Sequence, residues 1–124
     1  MEKIKFKIWD KHTKVMSEPF EITELVDFNL IWKEKFKGQK EVSFCDLVWL
    51  QWTGLIDKNG IDIYNGDIFK YVLEASGKHD KDTEYTEEVH FNNGSFELDN
   101  CFLGVFYNEG IVIGNIYEDS CLLE

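Results

Sequence analysis

Short runs of β-forming residues, broken at close intervals by Asn and Gly, constrain this chain more than any other feature. Asn59-Gly60 and Asn65-Gly66 flank Ile61-Asp62-Ile63-Tyr64, Asn93-Gly94 separates Phe91 from Phe96, and Asn108-Glu109-Gly110 precedes Ile111. Gly enters the left-handed region of backbone space without a Cβ clash and Asn tolerates it, so each step reverses the chain between extended segments. Runs of this length and punctuation predict an all-β fold, a small barrel or sandwich of short antiparallel strands with at most one short helix.

The remaining segments are assigned by period. Residues 3–9, KIKFKIW, alternate strictly, placing Ile4, Phe6 and Ile8 on one face of a strand and Lys3, Lys5 and Lys7 on the other. Residues 10–14 read as a turn into Val15-Met16, closing a hairpin whose Lys-lined outer face discourages edge pairing. Residues 17–46 are the least legible, with a short helix expected at 22–28 and a strand at 29–32. Residues 44–52 are apolar on both faces and read as a strand covered on both sides. A strand over 68–73 leads into a polar, mobile loop at 75–86. A hairpin turning at Asn93-Gly94 follows, with His90 solvated, and a last strand pair covers 101–107 and 111–117. With 124 residues and 44% hydrophobic composition, the chain is expected to form one domain, 1–124, around one core.

The stretch GLIDKNGIDIYNGDIF, residues 54–69, also raises the question of a metal loop. An EF-hand needs oxygen ligands at positions 1, 3 and 5, Gly at 6 and Glu at 12. Counting from Asp57, position 5 is Ile61, Gly falls at position 4 and position 12 is Ile68, so the segment reads as two turns feeding strands. His12, His79 and His90 have no His or Cys neighbour at ligand spacing, and the cluster His79, Asp80 and Asp82 reads as a solvated loop. No nucleophile motif, phosphate-cradling loop or Cys-x-x-Cys is present. No catalytic residue, cofactor or metal is therefore expected. Cys45, Cys101 and Cys121 read as reduced thiols, the first two in core surroundings. Trp9, Trp32, Trp49 and Trp52 read as core residues in preference to a stacking platform.

Charge is distributed unevenly. Residues 1–73 carry 12 acidic side chains against 11 Lys, whereas residues 74–124 carry 12 against 2, a net of −10. All 13 basic residues are Lys, so the guanidinium forks suited to phosphate and guanine are missing and direct nucleic-acid binding is disfavoured. An acidic surface serves solubility, or presents a face to a basic partner. Apolar runs are far shorter than a membrane span, and the amino end has no signal-peptide core, so a cytoplasmic protein is expected.

The motifs FKIWD (6–10), QWTGLIDKNGIDIYNGDIFKY (51–71), VHFNNGSFEL (89–98) and VIGNIYED (112–119), taken in this order, resemble the YopX family of small phage and prophage proteins. Residues 17–46 and 75–86 vary in that family, and EDSCLLE lacks the Pro often found after the GNIYE element. The resemblance implies an all-β fold, a phage or prophage origin in the cytoplasm of a host bacterial cell, and self-association, a homo-oligomer that 19 aromatic residues would also favour. It brings no catalytic residues. The shared positions have a structural reading: Gly60, Gly66, Gly94 and Gly110 at positive φ, Ile63, Ile68 and Ile116 in the core, and Asp67 and Asn115 bonded to turn amides. Tyr64 and Tyr117 are candidates for a ligand or subunit contact.

Two function classes follow. The first is a non-catalytic binding module: a phage accessory protein antagonising a host defence protein with a basic surface through Glu84, Glu87, Glu88 and Glu97, or a sponge holding a small nucleotide signal in a pocket. The second is an enzyme of phage nucleotide or nucleic-acid metabolism. A pocket with a buried, hydrogen-bonded polar cluster favours the sponge or the enzyme, and a flat acidic face favours the protein antagonist.

Overall fold

The alternating amino-terminal segment forms the centre of a sheet. A computed structural model describes residues 4–22, 47–73, 82–99 and 101–123, which divide between two compact units, Met1–Trp52 and Thr53–Glu124. In the first unit, β1 (Ile4–Asp10) is flanked on one side by β2 (Val15–Met16) and β3 (Phe20–Ile22) and on the other by β4 (Leu47–Ile56), all antiparallel. Ser17 bridges β2 and β3: its N–H donates to the Ile8 carbonyl at 2.9 Å while its Oγ accepts the Ile8 N–H at 2.9 Å. The 10–14 turn is held by Asp10, whose carboxylate accepts the His12 N–H at 2.9 Å and the Thr13 hydroxyl at 2.7 Å. Ile8 and Phe20 form the buried centre of this unit, with Phe6, Val15 and Leu47 against them. The Trp49 ring meets Phe6 and Phe20 edge-on, at 5.7 and 5.9 Å. On the opposite face of β1, the Lys5 ammonium sits 4.1 Å from the Trp52 ring centre, so its stem covers apolar surface while its charge faces a π cloud.

The second unit starts with the end of β4, which pairs with β5 (Asp62–Tyr64). Its main sheet has the order β10-β6-β7, from β6 (Asp67–Leu73), β7 (Thr83–Glu88) and β10 (Ile111–Asn115), all antiparallel. β8 (His90–Asn92) and β9 (Ser95–Glu97) form a hairpin, and α1 (Leu103–Phe106) and a 3-10 turn at Ser120–Leu123 complete the described residues. Ile63, Phe69, Tyr71, Val89, Leu98 and Leu103 are its buried core. Each such side chain contributes about 1.5–3 kcal/mol on leaving water. The all-β expectation with one short helix is met.

Several local expectations are revised. Asn93 and Gly94 both have positive φ, 51° and 85°, and make the two-residue turn that suits twisted strands. At Asn59-Gly60 only the Gly does, at 80°. There the Gly60 N–H bonds the Asp57 carbonyl and the Asp57 N–H bonds the Ile61 carbonyl, giving a one-residue-longer loop. Gly110, expected at positive φ, is absent from that region of backbone space. A Cβ there would lie 2.5 Å from the Lys70 carbonyl oxygen and 2.5 Å from the Phe69 ring, so the position requires Gly for close approach. Residues 103–106 form a helix where a strand was expected, because Leu103, Phe106 and Tyr107 follow a helical period and all three pack on the core. Ile116 is half-buried and lies beyond the end of β10.

β4 buries only Leu50 of its ten residues, so it is not covered on both sides. Thr83 to Thr86 belong to β7 and not to a loop, and residues 75–81 lie outside the described residues. The helix expected at 22–28 begins on Ile22, which ends β3; its remainder, the strand at 29–32 and Cys45 lie outside the described residues. Where one core was expected, the described residues hold two clusters, one in each unit.

Asp57 is buried and its carboxylate is filled by backbone donors. One oxygen accepts the N–H groups of Asn59 and Ile61, at 2.8 and 2.9 Å, and the other accepts the Val112 N–H at 2.8 Å. Asp57→Ala leaves three donors without this acceptor and should cost about 3 kcal/mol in urea denaturation. Asp57→Asn, which keeps one oxygen, should cost less, and calorimetric titration of the wild type should give no tight calcium binding; micromolar affinity lost in Asp57→Ala would defeat the turn reading. Gly110→Ala should destabilise by about 1–3 kcal/mol through overpacking against Phe69. Gly104→Ala, with open space around it, should be neutral or stabilise by up to about 1 kcal/mol, and equal effects at the two glycines would refute the packing argument.

Candidate functional site

Strand parity sorts the acidic residues of β7. Register pairs Tyr71 with Tyr85 and Phe69 with Glu87, so Tyr85 and Glu87 share the face that carries the core. Glu87 is only 5% exposed, and its carboxylate accepts the Tyr71 hydroxyl at 2.5 Å. It is therefore withdrawn from the acidic face to which the sequence assigned it. Glu84 and Glu88 point the other way. Glu84 pairs with Lys70 at 3.4 Å, a half-exposed contact of little energetic weight.

Glu88 reaches the β8–β9 hairpin. His90 is held between two carboxylates, its Nδ1 3.3 Å from Glu88 and its Nε2 3.0 Å from Asp99. Glu97 is the cross-strand partner of His90. A hollow of about 390 Å³ is lined by His90, Phe91, Asn92, Glu97, Leu98 and Asp99. The structure thus gathers Glu88 and Glu97 around His90, adds Asp99, and leaves Glu84 beside Lys70. The sequence did not single out Asp99 because its distance from His90 in the chain has no recognisable spacing; the bend after β9 brings it back.

Tyr64 is 2% exposed, so it is not placed to meet a ligand or subunit as expected. Burial, then the negative charges of Asp62 and Asp67, push its hydroxyl up to about 12. Tyr117 is half-buried, and burial followed by the Glu88 charge also raises its pKa. Asp67 and Asn115 bond turn amides as expected. Asp67 accepts the Tyr64 N–H at 2.7 Å, and the Asn115 side-chain oxygen accepts the N–H groups of Tyr117 and Glu118 at 3.0 and 2.9 Å. Among the described residues, no three His, Cys, Asp or Glu side chains are grouped as a metal would need.

A second group centres on Tyr71. Its ring stacks between Tyr85 and Phe106, with centres 5.4 and 5.1 Å away, and the Cys101 thiol lies 3.8 Å from its hydroxyl oxygen. Burial is the main cause that raises the Tyr71 pKa, followed by its bond to Glu87. Burial also raises the Cys101 thiol, which keeps it protonated and poorly nucleophilic at neutral pH.

The raised Tyr64 pKa has a definite sign. Above pH 10 the unfolded chain loses this proton while the folded chain keeps it, so stability from this group is constant below pH 10 and falls as pH rises towards about 12. Tyr64→Phe should therefore flatten the alkaline loss of stability in denaturant titrations between pH 9 and 11, about the span in which an ordinary Tyr begins to ionise. An unchanged pH profile would show that Tyr64 ionises as freely in the folded protein as in the unfolded chain.

A search of curated proteins finds no match. Among solved structures, the chain is similar to protein EF1440 from Enterococcus faecalis, with 25% identity, 98% of each chain covered and a TM-score of 0.57. The model of the YopX protein family matches residues 5–124, which include the 57–61 turn, the Asn65-Gly66 and Asn93-Gly94 reversals and the Asn115 turn. The chain belongs to the YopX family.

Proposed function

We propose that this chain is a non-catalytic phage accessory protein that binds a basic surface of a host protein through the acidic hollow of the β8–β9 hairpin. The observation that carries this reading is the gathering of Glu88, Glu97 and Asp99 around His90 on one concave surface. The surplus of acids over Lys in residues 74–124 supports it, since clustered charge steers an oppositely charged partner at short range even in physiological salt. A nucleotide sponge is less well matched, because no Lys lines either the hollow or the recess beside Tyr71, and phosphate has no counter-charge there. Turnover has little support from Cys101, whose thiol is held protonated.

The test is affinity capture from host-cell lysate by the immobilised chain, compared with the combined Glu88→Gln, Glu97→Gln and Asp99→Asn variant. These partly exposed charges contribute little to stability, so the variant should melt at the wild-type temperature. Capture of a basic protein should fall at least about tenfold, and what remains should depend less on salt. Equal capture by a folded variant would remove this face from consideration.

A further inference from the structure

The recess beside Tyr71 is separate from the acidic hollow and has different chemistry. It measures about 250 Å³ and is lined by Tyr71, Leu73, Tyr85, Cys101 and Phe106. These come from β6, β7, α1 and the segment before it. Its walls are rings and aliphatic carbon, with a polar base. The Tyr71 hydroxyl donates to the buried Glu87 carboxylate, so its own oxygen is left to accept, and its present donor is the weak thiol of Cys101 at 3.8 Å. A stronger N–H donor at that oxygen would improve on the thiol. An apolar cavity of about 150 Å³ already accommodates one benzene ring, so the volume suits a molecule of one or two fused rings.

The charge of the ligand is restricted as well. Glu87 lies directly behind Tyr71, and none of the lining residues is cationic. An anion would be desolvated beside a carboxylate with no compensating charge. We infer that this recess is a binding site for a small, uncharged aromatic heterocycle, seated among Tyr71, Tyr85 and Phe106 and donating a ring N–H to the Tyr71 oxygen. Indole and an unphosphorylated nucleobase belong to this class; a nucleotide does not. The Tyr85-Tyr71-Phe106 stack holds the recess in shape without a ligand, so little ordering cost accompanies binding.

The test uses the full chain and three probes of similar size: indole, indene, which has the same shape without the N–H, and indole-3-acetate, which adds a negative charge. Calorimetry or ligand-observed NMR should show saturable one-to-one binding of indole. Indene should bind about five- to tenfold more weakly, the worth of one hydrogen bond, and indole-3-acetate more weakly still. Leu73→Trp, at a partly exposed position on the wall, should block the recess and lower indole affinity at least about tenfold without changing the melting temperature. Tyr71→Phe, if folded, should bind indole and indene equally. Absence of indole binding to the wild type, equal binding of indole and indene, or undiminished binding to folded Leu73→Trp would each overturn the proposal.

Discussion

The Asp57 carboxylate is the interaction on which the second unit depends. It closes the 57–61 turn through two backbone N–H groups and, through its other oxygen, fixes the Val112 N–H in β10. A buried carboxylate is costly unless its lone pairs are filled by donors, and three charge-assisted bonds from rigid backbone meet that condition. The same junction is reinforced by the Lys58 N–H on the Gly110 carbonyl. β10 pairs with β6 and β6 with β7, so the register of the sheet is referred to this turn. Replacement of a charge at the turn would therefore be felt at Phe69 and Tyr71, which β6 carries into the core.

That register determines which carboxylates meet solvent. A one-residue slip of β7 would exchange its faces, burying Glu84 and Glu88 and exposing Tyr85 and Glu87. The Tyr71–Glu87 bond opposes such a slip, because only the observed pairing puts a hydroxyl within reach of the inward carboxylate. The acidic hollow and the aromatic recess are in this sense two results of one strand alignment.

Much of the fold was legible because turn chemistry is local. Asn93-Gly94, Gly60 and Gly66 announce reversals through the backbone they permit, and the alternation of residues 3–9 announces β1. The roles of Asp67 and Asn115 were legible for the same reason, since each bonds amides within three residues of itself. What was not legible depends on distant neighbours. Gly110 is required by Phe69 and the Lys70 carbonyl, and no local signal tells that need from a positive φ. Glu87 looks like any other acid in TEYTEE until the β6 register supplies Tyr71. Tyr64 read as a candidate contact because a strand-end hydroxyl is often accessible, whereas burial by the surrounding turns decides otherwise. The helix at Leu103–Phe106 was written in the spacing of Leu103, Phe106 and Tyr107, a signal short enough to be hidden among β-forming residues.

The division into two compact units has a spectroscopic corollary. All four Trp residues, at 9, 32, 49 and 52, belong to the unit Met1–Trp52, and all five Tyr residues, at 64, 71, 85, 107 and 117, belong to Thr53–Glu124. Light absorbed by indole alone therefore reports on one unit, while the near-ultraviolet dichroism of the phenols, dominated by the Tyr71–Tyr85 stack, reports on the other. Coincidence of the two signals during denaturation would mean that the units melt as one cooperative body, and separation would mean that each holds its own free-energy gap. The chain carries its own pair of colours for distinguishing these cases, with no label added.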